Sequence, residues 1–203
     1  MKAEAGNYDV VLDAAETCFD RMGFAKPTME VVAGVAGVSR GYLYKHFTNR
    51  DGLILAVLVR RADMFNKRAM KFIAAQPTFA DQLVEGIMFG VKMAYHDPYF
   101  GRLVGSATAD PEHHIPGALA AAEQKTGELW EPVLESAQAA GDMSLELEIP
   151  DVVDWIRIVQ LGLLANKNGF DTPDSVLERQ LRTLLVPAVA LSHVAQRSPA
   201  KKR

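Results

Sequence analysis

The sequence predicts an all-α fold, and three observations carry the prediction. Apolar residues recur three and four apart along most of the chain, the period of a helix with one buried face. No segment alternates apolar and polar residues in the manner of a half-buried strand. Proline is absent between Pro27 and Pro77 and recurs afterwards, so helix breaks belong mainly to the second part. About nine helices are expected in total.

The first is placed at residues 8–22. Val11, Ala15, Cys18 and Met22 share a face, and Gly23 tolerates the left-handed dihedrals that end a helix. Thr28 has the hydroxyl of an N-cap, and Glu30 sits in the first turn that follows, where a carboxylate suits the helix dipole. This second helix turns Met29, Val32, Ala33 and Ala36 inward and stops at Gly37. Ser39 caps a short third helix to residue 47, with Leu43 and Phe47 facing the core. Asn49 caps a fourth that carries Leu53, Ile54, Val57, Leu58 and Phe65 and ends near Ala75. Past Pro77 the segments 79–96, 98–107, 117–140, 151–168 and 174–196 read as further helices, with kinks or restarts at Pro132 and Pro187. Between them, DPEHHIPG at residues 110–117 is a loop by composition.

One short span departs from the rest in charge. The chain is acidic, with a net charge of -3, so nucleic-acid binding cannot follow from overall charge and needs a local basic surface. From Gly37 to Arg50 there is no Asp or Glu, while Arg40, Lys45 and Arg50 are cationic and His46 can add to them. Ala33, Gly37, Val38 and Ser39 spell A-x-x-x-G-V-S across the junction of two short helices. Ala33 is small enough for a close crossing, Gly37 takes the turn, Val38 fills the angle and Ser39 caps. A helix-turn-helix asks for this arrangement. Its second helix enters the major groove, and Arg40, Gly41, Tyr42, Tyr44, Lys45 and His46 hold the outward positions.

Gly23-Phe24, Thr28, Ala33, the run V-S-R-G-Y-L-Y-K-H-F from Val38 to Phe47, and Arg50 resemble the DNA-binding domain of TetR-family transcriptional regulators. The resemblance spans about residues 8–55; the remainder is similar only in length and helical character. It implies a DNA-binding domain at residues 1–50, an effector-binding and dimerisation domain at 51–196 and a basic, solvated tail at 197–203. It implies roles for Thr28, Ser39, Arg40, Gly41, Tyr42, Tyr44, Lys45, His46 and Arg50 at DNA. Arg40, Tyr42 and Lys45 would read bases, Gly41 would allow close approach, and Thr28, Tyr44, His46 and Arg50 would hold phosphates. The family usually has Thr or Ser where this chain has Tyr42. Tyr44 has a second reading, as a half-buried packing residue.

Two C-terminal segments are apolar around most of their circumference, more than one buried face requires. Trp155, Ile156, Val159 and Leu163 in one, and Leu177, Leu181, Leu184 and Leu185 in the other, are expected at a four-helix homodimer interface, as the resemblance also implies. A buried central helix in a monomer is the alternative. In the middle segments Met88, Phe89, Met93, Tyr95, Phe100, Leu103 and Trp130 are large adaptable groups, expected either as core or as the wall of an effector cavity. With no cationic cluster near them in sequence, an apolar or amphipathic small-molecule effector is expected.

Other classes find less support. The stretch LVGSATA is not a nucleophile elbow, and no phosphate-binding G-x-x-x-x-G-K is present, so an enzyme is not expected. His113 and His114 lack an established metal spacing and are read as a solvated loop, with effector or metal contact as lesser alternatives. Neither a cofactor nor a metal is expected. The single cysteine excludes an internal disulfide framework, and the longest apolar stretch is far short of the roughly 20 residues that span a bilayer. A cytoplasmic protein without membrane contact is expected. The function expected is a repressor that binds a palindromic double-stranded operator as a homodimer and is released by its effector. A corepressor-dependent regulator or an activator would have the same architecture, and a DNA-architectural protein without effector is the alternative of another class.

Overall fold

The computed structural model describes residues 2–99, 115–170 and 172–191, and within these the chain is helical without a named strand. The elements are α1 (Lys2–Met22), α2 (Met29–Ala36), α3 (Arg40–His46), α4 (Arg50–Ala74), α5 (Phe79–His96), α6 (Ala118–Ala140), α7 (Ile149–Phe170), α8 (Asp174–Gln180) and α9 (Val186–Val189). Beyond Pro98 and Tyr99, the expected helix at 98–107 and most of the 110–117 loop lie outside the described residues.

Local chemistry sets the boundaries. Thr28, Ser39, Asn49 and Thr78 are extended at their helix starts, and each side chain accepts a backbone N–H three residues on. Gly37 closes α2 at φ +66°, a conformation that would strain any residue with a Cβ. α6 runs through Pro132 as one helix, so the restart expected there is absent. Pro187 acts differently. It has no N–H to bond the Thr183 carbonyl, and the turn before it, Leu181–Leu185, is π-helical, with Val186 N–H bonding Leu181 O. α9 ends at Ala190, which is extended, sooner than the periodicity suggests.

Two apolar cores meet along α4, and α6 also reaches both, with Ala118 in the first and Trp130 in the second. The first collects Val11, Ala15, Phe19, Val32, Leu43 and Phe47 with the first half of α4, Leu53 to Ala62. The second takes the rest of α4 from Phe65 to Ile73 and builds around Leu83, Ile87, Met88, Trp130, Leu134 and Ile156. The cores therefore meet within α4, beyond the boundary that the sequence sets at residue 50. α5 is central to the second core: it packs on α4, α7 and α8. Lys92 ties it to Asp174 at 3.3 Å, and Arg182 ties back to Asp81 at 2.8 Å.

Gly86 in α5 stands at a tight crossing with the apolar core. An added Cβ there would stand 2.7 Å from Trp130 Cη2 and 2.9 Å from Ile73 Cδ1, whereas at Gly34 in α2 it would meet nothing within 4 Å. Gly86→Ala is expected to destabilise the protein by about 1–3 kcal/mol through overpacking. Gly34→Ala is expected to stabilise it by about 0.5–1 kcal/mol through helix propensity. Denaturant unfolding of both variants checks the pair, and equal effects would contradict the packing.

Candidate functional site

The helix-turn-helix is α2, the Gly37 turn and α3. Behind it, Leu43 is fully buried and Phe47 nearly so, which fixes α3 against the first core. In front, Arg40, Gly41, Tyr44, Lys45 and His46 are exposed, as are Thr28 and Ser39. Tyr42 is only partly exposed. Its ring tilts against His46 at 4.5 Å, and His46 meets the edge of Tyr8 at 5.9 Å. Tyr8 in turn stacks on Phe47 at 5.3 Å. These four rings brace the C-terminal end of α3 on α1, a contact with no signal in the local sequence.

Two of the cations are engaged within the protomer. Arg40 pairs with Glu30 of α2, both well exposed. Bonds from its own backbone N–H and from the Thr28 hydroxyl, more than the Arg40 charge, hold the Glu30 carboxyl below its usual range. An exposed pair of this kind is worth about 0–1 kcal/mol, so it parks Arg40 without locking it. Arg50 reaches back across the head, and its Nε donates to Pro27 O at 2.9 Å, fixing the turn that presents Thr28. Its Nη2 is buried without a hydrogen-bond partner among the described residues.

The head joins the body through a cluster on α1, α4 and the end of α5. Glu16 faces both Arg60, at 2.5 Å, and Arg61, at 3.3 Å. Arg60 also pairs with Asp13 at 2.8 Å, and Arg61 with Asp97 at 2.8 Å. The Arg61 guanidinium lies 4.5 Å from the Tyr99 ring centre, and the Tyr99 hydroxyl donates to Asp20 at 2.6 Å. Burial and then the Asp20 bond push the Tyr99 phenol far above its ordinary range, so it stays a donor. Burial opposes the charge on both arginines, and their carboxylate partners outweigh it, so both pKa values are raised.

The body holds a cavity of ≈ 70 Å³ among α4, α5, α6 and α7. Phe65, Val91, Leu129, Leu161 and Leu164 supply apolar wall, and Asn66, Lys125, Thr126, Arg157 and Gln160 supply polar groups. Of the large residues expected around an effector, Trp130 lines this cavity. Met88 is buried in the second core, Phe89 stacks between Phe65 and Phe72, Met93 packs at the core's edge and Tyr95 is exposed. Phe100, Leu103, His113 and His114 lie outside the described residues. Lys125 and Arg157 come from different helices, so their meeting at one cavity has no signature along the sequence. Among the described residues, no cluster of three His, Cys, Asp or Glu side chains is placed to hold a metal.

Of the residues expected at a dimer interface, Ile156, Leu163, Leu177, Leu181 and Leu185 are buried in the protomer's own core, and Val159 packs partly against it. Trp155 is 52% exposed and Leu184 73%, and Ile158, outside the expected set, is 50% exposed.

Residues 11–57 match the family model described as bacterial regulatory proteins, tetR family. This stretch of the chain is similar to the TetR family. It is 42% identical over 48 residues to the HTH-type transcriptional regulator TtgR of Pseudomonas putida, covering 24% of this chain and 23% of TtgR. The chain spans less than half the length of the curated relatives it matches. Over nearly its whole length it resembles a TetR family transcription regulator from Marinobacter aquaeolei, with TM-score 0.59, 16% identity and coverage of 94% and 99%. It also resembles SmeT of Stenotrophomonas maltophilia, the repressor of a multidrug efflux pump, with TM-score 0.58, 20% identity and coverage of 95% and 94%. At these identities the likeness is one of fold. The matched family is one of regulatory proteins, and these relatives are described as transcription regulators. Among the described residues no helix is long and apolar enough to cross a membrane.

The joint between head and body predicts a cost on mutation. Arg61→Ala leaves Glu16 and Asp97, both largely buried, short of a partner. Since the cluster keeps some solvent contact, a loss of about 1–2 kcal/mol is expected. Denaturant titration reads it, and an unchanged midpoint would mean the cluster carries no load.

Proposed function

We propose that the chain is a ligand-responsive transcriptional regulator of the TetR family, a repressor in its simplest form, that binds a palindromic operator as a homodimer. The observation that carries the reading is the outer face of α3. It is exposed and free of acids, is held by the Ser39 cap above Leu43, and lies within the residues that match the family head. Arg40, Tyr42 and Lys45 are the base-reading candidates, with Thr28, Tyr44, His46 and Arg50 toward phosphate.

Arg40 would exchange Glu30 for a guanine edge. Arg50 would act through its grip on Pro27, holding the turn that presents Thr28 to a phosphate. The exposed Trp155, Ile158 and Leu184 support a partner surface on α7 and the π-helical turn. A dimer would hold its two reading helices about 34–36 Å apart, one DNA turn. An effector in the body cavity that favours another spacing would then weaken operator binding, and operator would weaken effector binding equally.

Selection from random DNA supplies an operator for the tests. At fixed salt, Lys45→Ala is expected to weaken specific binding by about 1–3 kcal/mol, and Tyr44→Phe by about 1 kcal/mol through a lost hydroxyl contact. Fluorescence anisotropy measures both, and wild-type affinity in both variants would mean that another face meets DNA. For the partner surface, Trp155→Glu with Leu184→Glu is expected to convert a two-chain mass into a one-chain mass in light scattering at micromolar concentration. A wild-type protein that is already monomeric there removes the dimer.

A further inference from the structure

The reading of the body cavity as the effector site leaves open what it holds, and the chemistry of its wall narrows the choice. Trp130 and Arg157 line this cavity, and one nitrogen of each, Trp130 Nε1 and Arg157 Nε, is buried with no hydrogen-bond partner among the described residues. Trp130 is 0% exposed, so its N–H has no recourse to solvent. A buried donor left unmet costs roughly 1–3 kcal/mol, which a ligand acceptor would recover. Two nearby donors are already committed. Asn66 Nδ2 donates to Lys125 O at 2.8 Å, and Thr126 Oγ1 to Ala122 O at 2.8 Å.

The two cations do not make the cavity a carboxylate site. Lys125 Nζ lies 2.6 Å from Asp63 and 2.7 Å from Glu128. Arg157 lies 3.1 Å from Asp154 and 3.8 Å from Glu123. Each cation therefore already faces two carboxylates, and a third negative charge would be repelled and would lose hydration without a cation to itself. A neutral acceptor meets no such penalty. The apolar body of such a ligand has Phe65, Val91, Leu129, Leu161 and Leu164 to lie against.

We infer that the cavity takes an uncharged, largely apolar ligand bearing a carbonyl-type acceptor, such as a ketone, ester or amide, for Trp130 Nε1 and Arg157 Nε, and discriminates against carboxylates. The inference rests on the effector reading of the cavity and selects among the apolar and amphipathic compounds that reading allows.

Three probes of similar length separate the cases: methyl decanoate, undecane and decanoate. The full chain is titrated with each at neutral pH by calorimetry and by proton–nitrogen NMR of the indole N–H groups. Trp155→Phe assigns the two tryptophan signals. Methyl decanoate is expected to bind at least about tenfold more tightly than either other probe, the worth of one net hydrogen bond. Only the ester should move the Trp130 indole proton downfield. Trp130→Phe should bring ester affinity down to that of undecane, and Arg157→Lys, which keeps the charge and removes Nε, should narrow the ester preference. The NMR measurement on the unaltered tryptophan decides the matter if the Phe variant fails to fold.

Equal affinity for the three probes, tighter binding of decanoate, no binding at all, or an unmoved Trp130 signal would overturn the inference. Operator affinity is read in the same samples. Ester binding that shifts the Trp130 signal but leaves operator affinity unchanged upholds the ligand class and removes the effector role.

Discussion

The structure turns on Glu16. Its two carboxylate oxygens face two consecutive arginines of α4, and through them α1 of the head is fastened to the end of α5 in the body. Consecutive residues on a helix point about 100° apart, so Arg60 and Arg61 cannot both reach one partner face on. Arg60 covers the α1 side with Asp13 and Glu16, and Arg61 covers the side of Asp97 and Tyr99. Neither guanidinium is fully buried, which keeps the desolvation cost modest. The cluster is a joint between two cores that otherwise meet along α4 and α6.

α4 is what makes that joint consequential. At 25 residues it is about 37 Å long, with one half in each core. Ala62, Phe65 and Asn66 border the cavity one step beyond Arg60 and Arg61, on the same rigid element. A change of cavity width large enough to shift α4 is felt at once by the residues that hold the head. Close packing favours such rigid-body movement over local deformation. The proposed coupling needs no long relay of contacts, because the sensing wall and the clamp are successive turns of one helix.

How much of the molecule is legible in its sequence follows from the range of the interactions. Thr28, Ser39, Asn49 and the Gly37 turn act within three or four residues, so their residue types alone disclose their roles. The same holds for α5, whose start and end coincide with the expected ones. Contacts across many residues are hidden. Glu30 reads as a first-turn acid of its own helix, and its pairing with Arg40 depends on the crossing of α2 and α3. Lys125 and Arg157 share a cavity only because α6 packs on α7. The α7 pattern announces more apolar surface than one face needs, but periodicity cannot say which part the protomer uses. Ile156 goes inside while Trp155 and Ile158 remain outside.

Tyr42 is where resemblance and structure can be weighed together. The family's smaller Thr or Ser leaves room at this position, whereas here a ring half covers the first core and leans on His46. A ring used in packing loses freedom to follow a base edge, and it also restrains its neighbour. His46, held between Tyr42 and Tyr8, is less able to swing toward a phosphate than an unbraced side chain would be. In the proposed function, base reading by charge would then rest on the exposed Arg40 and Lys45, and Arg40 would first have to leave Glu30. Substituting Thr at Tyr42 would therefore act twice, removing a large contact surface and releasing His46. Its effect on base preference should be read beside Tyr42→Phe, which keeps the ring and its packing and removes only the hydroxyl.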